Sequence, residues 1–284
     1  MKPATAELLN VLQLERLEIN LFRGVSRDVL GTPRVFGGQV LGQALFAASA
    51  TVENRSVHSL HSYFLLPGDV NAPIIYEVDR SRDGGSFSSR RVVAIQHGQQ
   101  IFHMSASFQA EQEGLNHQLP MPVVPAPETL PDMLEAFNKT SGTPGTNWRN
   151  SDQLPIEFRA VDASALGTGG VSEPTSEFWF RTIDKLPDDP MLHRSVLAYA
   201  SDFHLLYAAA KPHGITFPND KVRMATIDHA MWFHRPLRVD DWLLYCVSSP
   251  SASSSRGLAQ GSVFNRAGDL VASVAQEGMV RLKS

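Results

Sequence analysis

Two stretches of the sequence, Ser62-Tyr-Phe-Leu-Leu-Pro67 and Ile74-Ile-Tyr-Glu-Val78, have counterparts in the second half of the chain. The counterparts are Met231-Trp-Phe-His-Arg-Pro236 and Leu243-Leu-Tyr-Cys-Val247, and each begins 169 positions after its partner. An equal separation for two separate stretches indicates an internal repeat, which has to be recognised before any fold is assigned. We therefore expect two copies of one structural unit.

The sequence around the repeat predicts one long helix followed by several strands in each half. Apolar residues and alanines at helical spacing predict helices at Val35–Val52 and Asp189–Lys211. A shorter amphipathic helix is predicted near the N terminus, where Leu8, Leu12 and Leu17 recur at near-helical spacing. Strand-like runs bounded by turn residues are Val57–Leu66, Ile74–Arg80, Phe87–Gln96, Ile101–Gln109, Ile156–Val161, Phe178–Thr182, Met224–Phe233, Trp242–Ser248, Gly257–Asn265 and Leu270–Gln276.

This order of elements decides the fold class. Neither half has the alternation of strand and helix that a parallel sheet requires, since one helix precedes several consecutive strands in each. The prediction is an α+β fold in which two antiparallel sheets are each wrapped around a long central helix. The two sheets could pair edge to edge and bring their helices side by side. A ligand groove would then lie at the seam between the halves.

A proline-rich segment separates the two halves. Residues 111–155 show little continuous periodicity, because prolines and glycines interrupt them at Pro120, Pro122, Pro125, Pro127, Pro131, Gly142, Pro144, Gly145 and Pro155. We predict an N-terminal unit at residues 1–110 and a linker at 111–155. A C-terminal unit at 156–284 carries the candidate catalytic residues.

The composition excludes several classes of protein. The chain has 284 residues, of which 43% are hydrophobic and 19% charged, and these values are typical of a globular protein. Its net charge is −4 and it contains no run of Lys and Arg, so we expect no nucleic-acid partner. No segment approaches the roughly 18 apolar residues of a membrane span, so we expect no stable insertion into a membrane.

The single cysteine and the N-terminal residues bear on the compartment. Cys246 excludes an intramolecular disulfide and fits a reducing environment. It lies in an apolar run, which favours a packing role over a nucleophilic one. The first twenty residues carry Glu7, Glu15 and Glu18 and lack the uninterrupted apolar stretch of a signal peptide. A cytoplasmic location is therefore the expectation.

Motifs for covalent and metal-dependent catalysis are missing from the sequence. The nearest approach to the Gly-x-Ser-x-Gly nucleophile turn is Gly84-Gly-Ser86-Phe-Ser88, which lacks the second glycine. His58 and His61 stand three apart on a predicted strand and would point to opposite faces, so they are not expected to share a metal ion. We predict no metal and no cofactor.

Three polar residues of the second half stand where a packed unit would prefer apolar ones. Asp202 lies within the predicted Asp189–Lys211 helix, Thr226 begins a strand, and Gln276 ends the last strand. A carboxylate, a hydroxyl and an amide could together hold one water, with Asp202 as the general base. The residues alone leave another reading open, in which Asp202 caps a helix that begins near Phe203 and the other two are ordinary strand residues.

Other polar residues have simpler interpretations as well. His58, His61 and His229 are most simply strand histidines whose hydrogen bonds are satisfied locally. Arg90 and Arg91 lie in a strand-like run and would be solvated or paired with acids, although one of them could meet a phosphate.

Longer strings of sequence resemble the acyl-CoA thioesterase II family. They run in order along nearly the whole chain, apart from the 111–155 segment: Val35-Phe-Gly-Gly-Gln-Val-Leu-Gly-Gln-Ala-Leu45, Val57-His-Ser-Leu-His-Ser-Tyr-Phe-Leu-Leu-Pro-Gly-Asp69, Arg82-Asp-Gly-Gly-Ser-Phe-Ser-Ser-Arg-Arg-Val92, Ala225-Thr-Ile-Asp-His-Ala-Met-Trp-Phe-His-Arg-Pro236 and Val271-Ala-Ser-Val-Ala-Gln-Glu-Gly278. Strings of this length are far more specific than a short motif.

The resemblance implies a tandem double hot-dog fold and hydrolysis of a medium- to long-chain fatty acyl-CoA to free fatty acid and coenzyme A. In that family an Asp near the start of the second central helix, a Thr in the next strand and a Gln in the last strand activate the hydrolytic water. The matching positions here are Asp202, Thr226 and Gln276. Water would attack the thioester carbonyl directly, without a covalent intermediate.

The resemblance also implies supporting roles for residues of the first half. Apart from the resemblance, we expect the backbone N–H groups of Gly37 and Gly38 to stabilise the oxyanion from across the seam. His58 would be a secondary participant, and Arg90 or Arg91 would reach the phosphates of coenzyme A.

Two other functions fit the same fold. A hot-dog enoyl-CoA hydratase or dehydratase would place an Asp and a His five apart in a Gly-Asp-x-Asn-Pro-x-His string, whereas His204 follows Asp202 here without Asn-Pro. A non-catalytic acyl-CoA-binding protein would not need the three polar residues. Sheet edges of such units usually associate, so we expect a homo-oligomer, either a dimer or a tetramer.

Overall fold

Four helices and thirteen strands form the described part of the chain, which in this computed structural model comprises residues 1–29, 33–140, 154–162, 170–215 and 222–283. The helices are α1 (Pro3–Leu12), α2 (Gly37–Ser49), α3 (Met133–Thr140) and α4 (Pro190–Ser201). The strands are β1 (Glu15–Glu18), β2 (Leu21–Gly24), β3 (Ser56–Phe64), β4 (Ile74–Asp83), β5 (Phe87–Gln96), β6 (Gln99–Gln109), β7 (Ile156–Ala160), β8 (Thr175–Thr182), β9 (Val222–Thr226), β10 (Asp228–Phe233), β11 (Leu243–Ser253), β12 (Arg256–Asn265) and β13 (Leu270–Leu282).

All of these strands belong to one antiparallel sheet. Its order is β1-β2-β4-β5-β6-β3-β10-β13-β12-β11-β8-β7, and β9 pairs separately with β13. Read inward from either edge, the order of the first half mirrors that of the second. The halves meet where β3 pairs with β10, between the pairs Tyr63–Asp228 and Ser59–Trp232. The expectation of an antiparallel α+β fold is therefore confirmed, and the two predicted sheets are joined edge to edge.

Helices α2 and α4 pack directly against each other on one side of the sheet. Small residues of α2 permit this contact: a methyl group built on Gly38 would lie 2.3 Å from the Tyr199 carbonyl oxygen, and one on Gly42 would lie 3.0 Å from the Ser195 carbonyl oxygen. Since later residues of α2 meet earlier residues of α4, the two helices run antiparallel. The start of α2 consequently lies beside the end of α4.

A buried glutamine of α2 hydrogen bonds to the N-terminal helix α1 and to two other parts of the first half. The Gln43 side-chain amide donates hydrogen bonds to the Val11 carbonyl at 2.6 Å and to the Val25 carbonyl at 2.8 Å. Its oxygen accepts the Tyr76 hydroxyl at 2.6 Å. Burying an amide is costly unless its hydrogen bonds are made, and here each is made to a different element. The predicted N-terminal helix is confirmed, although Leu17 lies in β1 and is exposed.

The second predicted long helix is shorter than expected. Helix α4 ends at Ser201, and residues 206–213 form two 3-10 turns instead of continuing the helix to Lys211. His204 adopts a left-handed backbone conformation with φ of 62°, which an α-helix cannot accommodate. The alanine-rich pattern of Leu206–Ala209 therefore reflects burial rather than helical periodicity.

Two strand predictions also change. The predicted run Met224–Phe233 is divided at Ile227 into β9 and β10. The last strand continues past Gln276 to Leu282, so Gln276 lies within the strand and not at its end. The sequence analysis did not predict the short strands β1 and β2.

The proline-rich segment follows the surface of the second half in its described part. Gln118 accepts the backbone N–H of Leu270 at 3.0 Å and donates to the Gly268 carbonyl at 2.7 Å. The Trp179 indole donates to the Pro125 carbonyl at 3.0 Å. Helix α3 lies in this segment and was not predicted, and residues 141–153 of the predicted linker lie outside the described residues.

The close approach of α2 and α4 generates a stability prediction. We expect Gly38→Ala to lower the free energy of unfolding by about 1–3 kcal/mol, because the added methyl group meets the rigid backbone of α4. Urea unfolding followed by circular dichroism measures the effect. Gly85→Ala is the matched control, since a methyl group there meets nothing within 4 Å. Equal unfolding midpoints for the two variants would contradict the interpretation of the helix contact.

Candidate active site

A cavity of about 1250 Å³ lies where the start of α2, the end of α4 and strands β7 and β8 converge. Its wall is largely aromatic and aliphatic, and includes Phe36, Phe64, Phe102, Phe158, Phe178 and Leu206. Asp202, Thr226 and Gln276 contribute a polar section to the same wall. A largely apolar cavity with a few converging polar groups is the usual form of a small-molecule site.

The three polar side chains are mutually hydrogen bonded. The Thr226 hydroxyl donates to Asp202 Oδ1 at 3.2 Å. The Gln276 amide nitrogen donates to Thr226 Oγ1 at 2.6 Å and to Asp202 Oδ1 at 3.2 Å. One carboxylate oxygen therefore accepts two hydrogen bonds, which fixes the plane of the carboxyl group. The structure thus brings together the three residues that the sequence analysis proposed.

Strand register explains how Thr226 and Gln276 come to face the same interior. Thr226 at the end of β9 pairs with Gly278 of β13, and Gln276 precedes Gly278 by two residues on the same strand face. The Leu206 side chain packs directly against Gly278. A methyl group on Gly278 would lie 2.3 Å from that side chain, so a larger residue there would displace Leu206. Gln276 is fully buried, whereas Asp202 and Thr226 are half-buried at the cavity.

Asp202 occupies a different place from the one predicted. It is the C-terminal cap of α4 and neither the first residue of a helix from Phe203 nor a residue near the start of the second central helix. Its Oδ2 atom faces the start of α2, where a methyl group on Gly37 would lie 2.7 Å from that oxygen. The cap residue of α2, Phe36, makes no capping side-chain hydrogen bond. The carboxylate of one half therefore lies at the positive end of a helix from the other.

A buried histidine continues the polar cluster away from the cavity. His229 Nδ1 lies 3.1 Å from Gln276 Oε1, and His229 Nε2 lies 2.9 Å from Ser201 Oγ. Burial lowers the pKa of His229, while the nearby carboxylates of Asp202 and Asp228 oppose this shift. The interpretation of His229 as a satisfied strand histidine agrees with these contacts, but its link to Gln276 was not foreseen.

His58 lies on the outer face of the sheet and not at the cavity. A β-bulge between Val57 and Ser59 turns its side chain outward, where Nε2 contacts Ser107 Oγ at 2.8 Å. His61 is also on the outer face, so the expectation that these histidines point to opposite faces is wrong. The placement gives no support to His58 as a secondary participant in catalysis.

The two arginines of β5 do not line the cavity either. Arg90 is 2% exposed and points inward, where it donates to the Thr51 carbonyl at 3.1 Å and to Asp83 Oδ1 at 2.7 Å. It thereby supports the chain just beyond the end of α2. Arg91 is exposed on the opposite face of the strand. The proposed contact with coenzyme A phosphates is corrected for Arg90, because its guanidinium is enclosed by protein groups.

Cationic side chains at the cavity come from residues that the sequence analysis did not select. They are Lys2, Arg34, Arg181 and Lys211. These residues are spread over distant parts of the chain, so no local charge pattern could have revealed them. Arg181 forms an ion pair with Glu157, and Lys211 donates to the Thr175 carbonyl. Burial lowers the pKa of Lys211.

The described residues also bear on a reactive cysteine, a metal site and a membrane-spanning helix. Burial raises the pKa of Cys246 to about 12, which disfavours a nucleophilic thiolate. Within the described ranges, no group of three or more His, Cys, Asp and Glu side chains could hold a metal ion. Among the helices described, none is long and apolar enough to cross a membrane.

Comparisons with known proteins identify the family of the chain. Family models match residues 150–279 (acyl-CoA thioesterase) and residues 27–109 (acyl-CoA thioesterase N-terminal domain). Acyl-CoA thioesterase 2 of Haemophilus influenzae is 42% identical over 278 residues, and the alignment covers 96% of each chain. The chain therefore belongs to the acyl-CoA thioesterase II family, a class of thioester hydrolases.

Solved structures give the same assignment for the fold. Acyl-CoA thioesterase II TesB2 from Mycobacterium marinum is 43% identical and superposes with a TM-score of 0.81, covering 98% of this chain and 99% of its own. A hot-dog protein from Alicyclobacillus acidocaldarius is 20% identical and superposes with a TM-score of 0.80, covering 98% and 99% of the respective chains. The second likeness concerns the fold alone. The α+β architecture is thus a hot-dog fold.

The buried histidine predicts how stability depends on pH. Because its pKa is lowered in the folded state, His229 binds a proton more readily when unfolded, so its neutral form stabilises the fold above about pH 6.5. This contribution is lost as the pH falls below that value. We therefore expect the Tm of the wild type to fall more steeply between pH 7.5 and 5.5 than that of His229→Leu.

Differential scanning fluorimetry at matched ionic strength measures this difference. His61→Leu, an exposed position on the neighbouring strand, serves as the control and should follow the wild-type slope. Parallel slopes for the wild type and His229→Leu would show that the histidine titrates alike in both states.

Proposed function

We propose that the chain hydrolyses medium- to long-chain fatty acyl-CoA to free fatty acid and coenzyme A, through a water activated by Asp202, Thr226 and Gln276. The observation that carries this proposal is the hydrogen-bonded cluster of these three side chains at an apolar cavity. Membership of the acyl-CoA thioesterase II family supports the substrate class.

The chemistry follows from the capacity of each group. Asp202 Oδ1 already accepts from Thr226 and Gln276, while Oδ2 faces the start of α2 and is placed to accept a proton from water. Water attacks the thioester carbonyl as Asp202 takes its proton. The tetrahedral intermediate then breaks its C–S bond, and the proton passes from Asp202 to the departing thiolate, which releases coenzyme A as a thiol and restores the carboxylate. No enzyme-bound acyl group and no cofactor is required.

The negative charge that develops on the carbonyl oxygen needs donors. The first N–H groups of a helix have no partner within the helix, and α2 begins with Gly37 and Gly38. Their backbone N–H groups, at the positive end of α2 and beside Asp202, are the donors we assign to the oxyanion. The reaction centre thus combines a base from the second half with donors from the first.

The acyl chain occupies the apolar part of the cavity in this proposal. Phe158, Phe178 and Leu206 offer a continuous nonpolar wall to a hydrocarbon tail, which gains free energy on leaving water. We also infer that residues 1–110 and 156–284 are two hot-dog units in tandem, joined by 111–155. The mirrored strand order and the central position of α2 and α4 support this division.

The composition and the surface of the chain bear on its cellular context. We propose a cytoplasmic homo-oligomer, either a dimer or a tetramer. Exposed aromatic side chains on the outer sheet face support association, and they include Tyr63, Phe87 and Trp232.

The assigned base generates the main functional test. Wild-type protein incubated with decanoyl-CoA or palmitoyl-CoA should release free thiol, measured with a thiol reagent. Asp202→Asn should lower kcat by about 10²- to 10⁴-fold, because an amide cannot accept the proton of water. Asp79→Asn removes an exposed carboxylate of β4 and should leave kcat unchanged.

Two outcomes would contradict different parts of the proposal. If the wild type releases no coenzyme A above background at any chain length, the assigned activity is wrong. If Asp202→Asn remains as active as the wild type, the assigned base is wrong.

The start of α2 provides an independent test. A methyl group on Gly37 would lie 2.7 Å from Asp202 Oδ2, so Gly37→Ala should displace the carboxylate and lower kcat. We expect a loss of about 10²-fold, since small displacements of reacting groups are costly. Gly114→Ala, where a methyl group meets nothing within 4 Å, is the control for steady-state kinetics. Unchanged kcat in Gly37→Ala would argue against this placement of the base.

A further inference from the structure

A fully buried chain of hydrogen bonds leads from Gln276 away from the cavity, and its other members, His229 and Ser201, have no role in the proposed chemistry. It runs from Gln276 Oε1 to His229 Nδ1 at 3.1 Å, and from His229 Nε2 to Ser201 Oγ at 2.9 Å. Gln276 and His229 are both 0% exposed. His229 does not line the cavity, so any influence on substrate has to pass through Gln276.

The protons in this chain can be assigned from the chemistry of its ends. A carboxylate only accepts hydrogen bonds, so the Gln276 amide must present its nitrogen, and not its oxygen, to Asp202 Oδ1 at 3.2 Å. The amide oxygen then faces His229 and needs a donor, which can only be a proton on Nδ1. Nε2 is consequently unprotonated in the neutral ring. The Ser201 hydroxyl lies 2.9 Å from both Nε2 and the Ala198 carbonyl, so its single proton can be turned toward Nε2.

The opposite arrangement is disfavoured at both ends of the amide. A ring protonated on Nε2 alone would turn the lone pair of Nδ1 toward Gln276 Oε1. Rotating the amide to relieve that contact would place its oxygen against Asp202 Oδ1 and take the donor away from Thr226 Oγ1. The tautomer of His229 and the orientation of Gln276 are therefore coupled.

The first half of the chain shows that the fold does not require this polar pair. Because Ala230 pairs with Ala275, His229 stands opposite Gln276 in the sheet. Its repeat counterpart, 169 positions earlier, is Leu60, which pairs with Ala106 and is fully buried. An apolar pair thus fills the equivalent interior position of the same architecture.

We infer that His229 is a positioning residue for the proposed hydrolysis, an inference that rests on that function. Its Nδ1–H group holds the Gln276 amide so that the amide N–H groups face Asp202 and Thr226, and the amide oxygen in turn selects this tautomer. Loss of this bond lets the amide rotate, and the base and the water lose their orientation. The acyl chain and coenzyme A make no contact with His229, so binding is unaffected.

Kinetics of matched variants test this role. His229→Leu, which introduces the residue of the first half, should lower kcat by about 10- to 100-fold and leave KM nearly unchanged. His229→Asn, whose side-chain amide keeps a donor toward Gln276, should restore most of the lost kcat. His234→Leu changes a histidine that bonds Ser273 at 2.9 Å on the outer face, and it should match the wild type.

A double-mutant cycle separates positioning from general damage to the fold. In a Gln276→Ala background, His229→Leu should cause no further loss of kcat, because its route to the reaction centre is already removed. An equal loss in both backgrounds, or an unchanged kcat in His229→Leu, would overturn the inference. Ser201→Ala, which removes the hydroxyl beside Nε2 and leaves the Nδ1–H bond to Gln276 in place, should give a smaller loss and serves if His229→Leu does not fold.

A spectroscopic measurement tests the hydrogen bond independently of activity. Two-dimensional ¹H–¹⁵N correlation of histidine-labelled protein distinguishes the two neutral tautomers, and the His229 signals are assigned by their absence in His229→Asn. We expect the Nδ1–H tautomer. An Nε2–H tautomer would overturn the inference. A wild type without acyl-CoA hydrolysis would instead overturn the proposed function, while the tautomer would still decide the proposed hydrogen bond.

Discussion

The close contact between α2 and α4 is the constraint on which the rest of the structure depends. Gly38 and Gly42 bring α2 against the backbone of α4, and the antiparallel direction of the helices then places Gly37 beside Asp202. With bulkier residues at these positions the helices would separate, and the carboxylate would lie away from the positive end of α2. The proposed site is thus a consequence of helix packing as much as of its polar residues.

The architecture could be predicted largely from the sequence, because it depends on patterns that repeat. Equal spacing of two stretches and one helix before several strands indicated an antiparallel α+β fold with paired helices, and Asp202, Thr226 and Gln276 do meet. The backbone conformation of single residues could not be predicted from such patterns. Neither the left-handed His204 that ends α4 nor the bulge at His58 has a sequence signal of its own.

The wrong prediction for Arg90 differs from these cases, because the sequence did contain a signal for its burial. Strict alternation along β5 places Arg90 on the same face as Val92 and Ala94, both buried, and therefore inside the unit. The prediction weighed its charge above its position in the strand. The link between His229 and Gln276 was harder to foresee, because it depends on the register of β10 against β13 and on the end of a helix.

In the first half Leu60 pairs with Ala106, at the position where His229 stands opposite Gln276 in the second half. This difference bears on how many reaction centres each chain has in the proposed function. Both halves contribute strands to one sheet, yet only the second carries the polar groups that the proposed chemistry needs. In the first half Arg90 pairs with Ala106, at the place where the second half pairs Ala259 with Gln276, and the Arg90 guanidinium is buried there. With the proposed site, a titration of reacting centres would therefore count one per chain and not one per repeat. The first half then contributes to that single centre through the cavity wall, the start of α2 and the strand β3 that pairs with β10.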